Sequence, residues 1–227
     1  IALRKKLNIQ TISNNNGNLE IISHEYQDEK QIIKIKYHKK IYKFEINLIG
    51  KIQIKNILMA MIAATKSDLS FKKIVNIIRN IKPVSGRLEK IGMIKNNSKV
   101  ILDFAHTPDA LETSLISLKE QFKNRKILIV FGCGGNRDKT KRPMMGKIAN
   151  KYCDRIYLTD DNPRNENPKT IRSSVKKNID KSKVFEISNR ADAIKKAIYD
   201  LKTGDILIVA GKGHEKIQEN NETKKLF

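Results

Sequence analysis

The spacing of apolar and polar residues changes character along the chain. Between residues 19 and 48 three short runs, Leu19 to Ser23, Gln31 to His38 and Ile41 to Leu48, are separated by polar turns, and in the second Ile33, Ile35 and Tyr37 alternate with lysine. A period of two puts one face of a strand on a core and the other in water, so these runs predict a small antiparallel meander. From Asn56 to about Lys66 the pattern turns helical. A second helix is expected from Ser70 to Asn80, with Phe71, Ile74 and Ile78 on one face and Pro83 as its terminator.

After Gly86 the apolar residues come in continuous runs: Val100 to Phe104, Lys126 to Phe131, Arg155 to Thr159, Val184 to Ile187 and Asp205 to Ala210. Unbroken apolar runs of this length are the mark of parallel strands buried on both faces. Helical patterns lie between them. Thr107 and Pro108 supply a cap and a first-turn proline, after which Leu111, Leu115, Leu118 and Phe122 follow one face. Further helices are expected over about 142 to 151, 169 to 179 and, capped by Asn189 with Asp192 three residues on, from 189 to about 201. Regular alternation of strand and helix predicts an α/β domain with a doubly wound, mostly parallel sheet.

Composition narrows the class. The chain has 227 residues, 39% hydrophobic and 31% charged, enough for one large or two modest globular domains. Its longest apolar runs, such as Ile127 to Phe131, are too short to span a bilayer. The two cysteines, Cys133 and Cys153, lack disulfide or metal spacing, which fits a reducing cytoplasm. A net charge of +22 suggests a nucleic-acid partner at first sight. However, the 46 basic residues comprise 36 lysines and only 10 arginines, scattered along the chain, and aromatic residues make up 6% with no tryptophan. Stacking platforms for single strands are therefore scarce. Lys, Asn and Ile share A/T-rich codons, and a solvated lysine-rich surface is the expectation, with a basic nucleic-acid-binding module as the alternative. The start at Ile1 without methionine, and the stop soon after a polar stretch, suggest a piece of something longer.

In a doubly wound sheet, ligands bind in crevices at the carboxyl ends of the strands. The segments there are Asp103 to Pro108, Gly132 to Asp138, Asp160 to Arg164 and Gly211 to Glu215, and they gather nearly all the distinctive polar residues. Arg137 and Arg164 offer planar forks for carboxylate or phosphate, whereas Asp161 and Glu215 suit an ammonium group. Together they would fit a zwitterion. Glycines 132, 134 and 135 permit close backbone approach but only weakly resemble a dinucleotide fingerprint. His106 and His214 read equally as ordinary hydrogen-bonded loop residues, Asp103 as the start of a helix cap, and Lys139, Lys141 and Arg142 as a solvated basic run. Cys133 has no evident base beside it, so a nucleophilic thiol is not expected.

The strings DFAHTPDAL (103 to 111), FGCGGNRDKTKRPMMG (131 to 146), TDDNPRNENP (159 to 168) and AGKGHEKIQ (210 to 218) resemble, in order and spacing, the C-terminal half of the Mur ligases of peptidoglycan synthesis. GKIQIKNILMAMIAA (50 to 64) and PVSGRLEKI (83 to 91) resemble the end of that family's central domain and its hinge. The resemblance implies two parts: residues 1–83, the end of a central ATP-binding domain, and 84–227, a Rossmann-like amino-acid-binding domain. It further implies ATP contacts at Asn56, Arg87 and Asp103, with Mg²⁺ as the companion ion. For the incoming amino acid it implies Arg137, Asp161, Asn162, Pro163, Arg164, Gly211 and Glu215.

Among Mur ligases, the DNPR run accompanies meso-diaminopimelate, whose distal carboxylate Arg164 would hold. A lysine substrate would leave that arginine buried without an anion. The implied reaction phosphorylates the D-Glu side-chain carboxylate of UDP-N-acetylmuramoyl-L-alanyl-D-glutamate, and the diaminopimelate amine then attacks the acyl phosphate. No GxxxxGK[ST] loop occurs in the chain. No catalytic residue or metal ligand is therefore expected within it, and the chain alone is expected to be inactive. A cytoplasmic monomer without nucleic-acid or membrane partners is the expectation. The alternatives inside the superfamily are lysine-adding and folylpolyglutamate-type ligases. Ile52-Gln53, Ser85 and Asn136 stand where the family usually has Phe-Asn, Pro and Asp, and none of these departures removes an assigned ligand.

Overall fold

The computed structural model describes residues 9–94, 97–213, 215, 217–220 and 223–226. The chain divides into two compact units, Ile1–Pro83 and Val84–Phe227.

In the first unit a four-stranded sheet runs in the order β1 (Ile12–Ser13), β2 (Leu19–Gln27), β3 (Lys30–Tyr37), β4 (Lys40–Ile46). The β2–β3–β4 meander is antiparallel, and β1 adds a short parallel edge not foreseen from the sequence. Gln31, Ile33, Ile35 and Tyr37 face the core along β3, as their alternation requires. His38 and Lys39, both with positive φ, form the two-residue turn into β4. Two helices cover the sheet, α1 (Lys51–Ala64) and α2 (Phe71–Ile78). The amide of Gln31 donates to Leu48 O at 2.6 Å and Gly50 O at 3.2 Å, tying the sheet to the start of α1. Helix α1 begins earlier than the apolar pattern suggested. Helix α2 stops at Ile78, two residues short of the expected end at Asn80, and turn hydrogen bonds at Asn80 and Ile81 follow it.

The second unit holds a six-stranded sheet: β5 (Glu89–Ile94), β6 (Ser98–Asp103), β7 (Ile127–Phe131), β8 (Arg155–Leu158), β9 (Val184–Glu186) and β10 (Ile206–Ala210). Their spatial order is β5-β6-β10-β7-β8-β9, parallel throughout except for β5 against β6. Strands β7 and β10 are buried along their whole length, as continuous apolar runs demand. Strand β9 departs from that expectation: it is the sheet edge, and Phe185 and Glu186 are exposed.

Four helices follow strands in turn: α3 (Pro108–Gln121), α4 (Lys141–Tyr152), α5 (Pro168–Lys176) and α6 (Arg190–Tyr199). Helix α6 packs on the face formed by Val100, Leu128, Val130, Tyr157, Leu207 and Val209. The alternate residues, among them Ile127, Ile129 and Ile208, point to the opposite face, and α3, α4 and α5 lie side by side as neighbours. The sheet is thus doubly wound, as the strand and helix alternation predicted. Insertion of β10 between β6 and β7 gathers the ends of β6, β10, β7 and β8 at the topological switch. A hairpin, β11 (Ile217–Asn220) and β12 (Thr223–Leu226), follows β10. No helix among the described residues is long and apolar enough to cross a membrane.

Candidate amino-acid-binding site

The four loops after β6, β7, β8 and β10 line one cavity of about 670 Å³. Its wall includes Phe104, His106 and Thr107 from the first, Gly132, Cys133, Gly134, Arg137 and Asp138 from the second, Asp161, Asn162 and Arg164 from the third, and Gly211 and Glu215 from the fourth. Of the seven residues implied for amino-acid binding, Pro163 alone lies off this wall; it borders a smaller cavity of about 330 Å³ with Asp160, Asn189 and Arg190.

Glycine lets the second and third loops dock backbone to backbone. A Cβ at Gly132 would stand 2.2 Å from Thr159 O, and one at Gly135 would stand 1.9 Å from Pro163 O. Gly135 N donates to Asn162 O at 2.8 Å. Arg142, only 2% exposed, reinforces the joint: it donates to both Glu166 oxygens at 3.0 and 2.9 Å and to Gly134 O at 3.2 Å. Arg142 is therefore no solvated residue. The Glu166 carboxyl also accepts the Asn136 amide at 2.6 Å. Arg142 first, then the Asn136 amide, hold it well below the usual carboxylate range, at about 2.

The fourth loop is organised by Lys212, a buried cation. Its Nζ donates to Asn162 Oδ1 at 2.7 Å and Ile217 O at 2.8 Å, and lies 3.4 Å from Glu215 Oε2. Asn162 thus serves as an internal tie, while Glu215 already has a cation beside it. Gly211 has φ +107, and a Cβ there would approach Asp161 Oδ2 at 3.3 Å, so glycine brings the fourth loop close to the Asp161 carboxylate. Behind the wall lies Arg190, 3% exposed. It donates through Nη2 to Ala210 O at 2.7 Å, whereas its buried Nη1 has no partner among the described residues.

The two arginines singled out in the sequence differ. Arg137 is exposed on the cavity wall. Arg164 has φ +51; it donates through Nη1 to Gly135 O at 2.9 Å, and its Nε lies 3.2 Å from Glu219 Oε2. The expectation that Arg164 would lack an anion unless a ligand supplied one is therefore corrected, because Glu219 is that anion.

The His106 ring nitrogen Nδ1 lies 2.9 Å from Phe104 O, as befits a loop residue. His214 and Lys216, within the fourth motif, lie outside the described residues. Burial raises the Cys133 thiol to about 12, so it is no nucleophile at neutral pH.

Of the residues implied for ATP, Asn56 is exposed on α1. Arg87 is exposed too, its guanidinium 4.8 Å from the Phe104 ring centre. Asp103 is buried with both oxygens engaged, accepting from Leu88 N at 3.1 Å and Ser114 Oγ at 2.6 Å. It does not cap α3; Thr107 does. Among the described residues no cluster of three or more His, Cys, Asp or Glu could hold a metal ion.

A crevice of mixed charge at the switch point of a Rossmann-like sheet defines an α/β domain built for a small polar ligand. Residues 86–213 match the family described as Mur ligase, glutamate ligase domain. The chain belongs to the Mur ligase family. It is 41% identical over its full length to the UDP-N-acetylmuramoyl-L-alanyl-D-glutamate--2,6-diaminopimelate ligase of Rickettsia felis, and 38% identical to that of Chelativorans sp.. It spans 40% and 46% of those two proteins. A solved structure of such a 2,6-diaminopimelate ligase superposes with TM-score 0.71 at 33% identity, covering 98% of this chain and 46% of its own. A Mycobacterium tuberculosis folylpolyglutamate synthase complexed with ADP and AMPPCP shares the fold, with TM-score 0.73 at 17% identity over 92% of this chain and 48% of its own.

Residues 142, 166, 190, 212 and 219 were not singled out as site residues from the sequence. The available signal was modest: Glu166 lies two residues after the DNPR run, and Lys212 sits between two glycines.

Proposed function

We propose that this chain supplies the amino-acid-binding part of an ATP-dependent amide ligase that adds meso-2,6-diaminopimelate to UDP-N-acetylmuramoyl-L-alanyl-D-glutamate. The observation that carries this reading is the meeting of Arg137, Arg164, Asp161 and Glu215 on one cavity. Two cations and two anions match a substrate bearing two ammonium and two carboxylate groups, and the names of the relatives point to the same amino acid. Arg164 and Arg137 take the carboxylates by charge-assisted hydrogen bonds. Asp161 and Glu215 orient the ammonium groups, so that one amine, once deprotonated, is presented to the acyl phosphate.

ATP supplies the phosphoryl group that activates the D-Glu carboxylate. On this chain Asn56, Arg87 and Asp103 are the proposed ATP contacts; Asn56 and Arg87 are exposed, whereas Asp103 is already committed to Leu88 and Ser114. The proposed part of this chain in the reaction is to bind and orient the amino acid and to contact ATP. A lysine-adding ligase is the second reading, because Glu219 removes the cost of leaving Arg164 without a ligand anion.

Calorimetric titration with meso-diaminopimelate, with L-lysine as control, tests the choice. Selective binding of diaminopimelate, lost in Arg164→Ala, is expected; equal binding of lysine would overturn the diaminopimelate reading. A nucleic-acid-binding module would instead bind polyanions with steep salt dependence and ignore both amino acids.

A further inference from the structure

Residues 217, 218 and 219 are each tied to the third loop or to Lys212. Ile217 O accepts from Lys212 Nζ at 2.8 Å, and the Gln218 amide donates to Asp161 O at 2.6 Å. Glu219 N donates to Asn162 Oδ1 at 2.9 Å, while Glu219 O accepts from Arg164 N at 3.4 Å. Strand β11 is therefore tied to residues 161 to 164 through the Gln218 side chain and the Glu219 backbone, and to Lys212 through Ile217 O. Its one carboxylate in contact with that loop is Glu219, 3.2 Å from Arg164 Nε.

This contact limits what Arg164 can offer a ligand. A carboxylate gripped by both prongs of a guanidinium needs two adjacent N–H groups, and both pairings that face outward include Nη2. Among the described residues Nη1 gives one of its two N–H groups to Gly135 O, and Nε lies 3.2 Å from Glu219 Oε2. An incoming carboxylate meets a guanidinium that already donates to Gly135 O and has a second negative charge beside its Nε edge. The Glu219 side chain is 37% exposed, so it has solvent to turn into while its backbone stays pinned.

We propose that Glu219 is a specificity-determining residue of the amino-acid site: an internal carboxylate that competes with the ligand's carboxylate for Arg164 and so sets how strongly an acidic side chain is preferred over an uncharged or basic one. The inference rests on the proposed function to the extent that Arg164 is taken to meet a ligand carboxylate. Removing the competing charge should tighten binding of meso-diaminopimelate and leave L-lysine, which has no distal carboxylate, unchanged.

The test is calorimetric titration of the wild type, Glu219→Gln, Glu219→Asp and Arg164→Ala with meso-diaminopimelate and with L-lysine. Thermal unfolding of each variant serves as the control for folding. Glu219→Gln keeps the shape and removes the charge, and should bind diaminopimelate about two- to fivefold more tightly, the range expected of a part-exposed ion pair. Glu219→Asp, which draws the carboxylate back by one methylene, should fall between Gln and wild type. If the wild type prefers diaminopimelate and Arg164→Ala abolishes that preference, yet Glu219→Gln binds equally or more weakly, Glu219 is no competitor and this inference fails while the proposed function stands. If the wild type shows no preference, or Arg164→Ala retains it, the proposed reading of Arg164 fails and this inference with it.

Discussion

Arg142 and Glu166 lie 24 residues apart in sequence and form a two-pronged ion pair, with both carboxylate oxygens accepting from the guanidinium at 2.9–3.0 Å. Through Gly134 O on one side and the Asn136 amide on the other, the pair clamps the glycine loop to the loop that carries Arg164. Breaking such a pair from one side leaves an uncompensated buried charge, and the fully buried partner here is Arg142.

Glu166→Gln should therefore destabilise the chain near neutral pH, and the pH dependence has a definite sign. The Glu166 carboxyl lies at about 2 in the folded chain against an ordinary 4.5. Its contribution is complete above about pH 4.5 and is lost as pH falls toward 2. The stability gap between wild type and Glu166→Gln, read from urea unfolding, should be widest above pH 5 and close on acidification. A gap that stays constant with pH would contradict the assignment.

Two glycine substitutions should separate docking of the site loops from packing of the helices. A Cβ at Gly135 would meet Pro163 O at 1.9 Å, and one at Gly146 within α4 would meet Val175 O at 2.0 Å. Overpacking of this kind costs about 1–3 kcal/mol. For Gly146→Ala that outweighs the gain of about 1 kcal/mol in helix propensity. Both variants should lose stability by calorimetry, but only Gly135→Ala should also lose affinity for diaminopimelate. Equal effects on binding would show that the loop contact is incidental.

Asp103 ties the segment at Leu88 to the end of β6 and to α3. In Asp103→Ala the Leu88 amide and the Ser114 hydroxyl lose their acceptor, and each stranded group costs about 1–3 kcal/mol. A clear drop in the urea midpoint without any nucleotide present is expected. An unchanged midpoint would argue that the carboxylate is free for ligand binding rather than structural.

Arg190 is unusual as a cation in the first turn of a helix, where the dipole disfavours positive charge. Burial pulls it below the ordinary arginine value, and the nearby carboxylates of Asp161 and Glu215 oppose that shift. Arg190→Met strands Ala210 O just before Gly211. It should lower stability by about 1–3 kcal/mol and weaken amino-acid binding. Arg190→Lys should recover part of both, as titration and thermal unfolding can show.

Much of this was legible in the sequence because it is local. The caps at Thr107 and Asn189, the buried stripe Leu111, Leu115, Leu118 and Phe122, and the continuous runs of β7 and β10 follow from nearest-neighbour chemistry. So did the gathering of polar loops at one sheet edge. The rest depends on long-range pairing. Strand β5 is interrupted by a register shift between Lys90 and Gly92, which blurs its alternation. The place of β10 between β6 and β7 is a choice of partners that no single run encodes. Arg142 looked like part of a basic surface run because Glu166, the group that permits its burial, is distant in sequence. Glu219 was missed for the same reason: its neighbour Arg164 is 55 residues away along the chain.

On the proposed reading, the four loops after β6, β7, β8 and β10 form one site for a diamino dicarboxylate. The most direct test is amide-resolved NMR titration of the ¹⁵N-labelled chain with meso-diaminopimelate. Saturable shifts confined to residues near 104 to 109, 132 to 138, 161 to 164 and 211 to 215, absent with L-lysine at the same concentration, are the predicted result. Shifts scattered over the lysine-rich surface, or none in these loops, would contradict it.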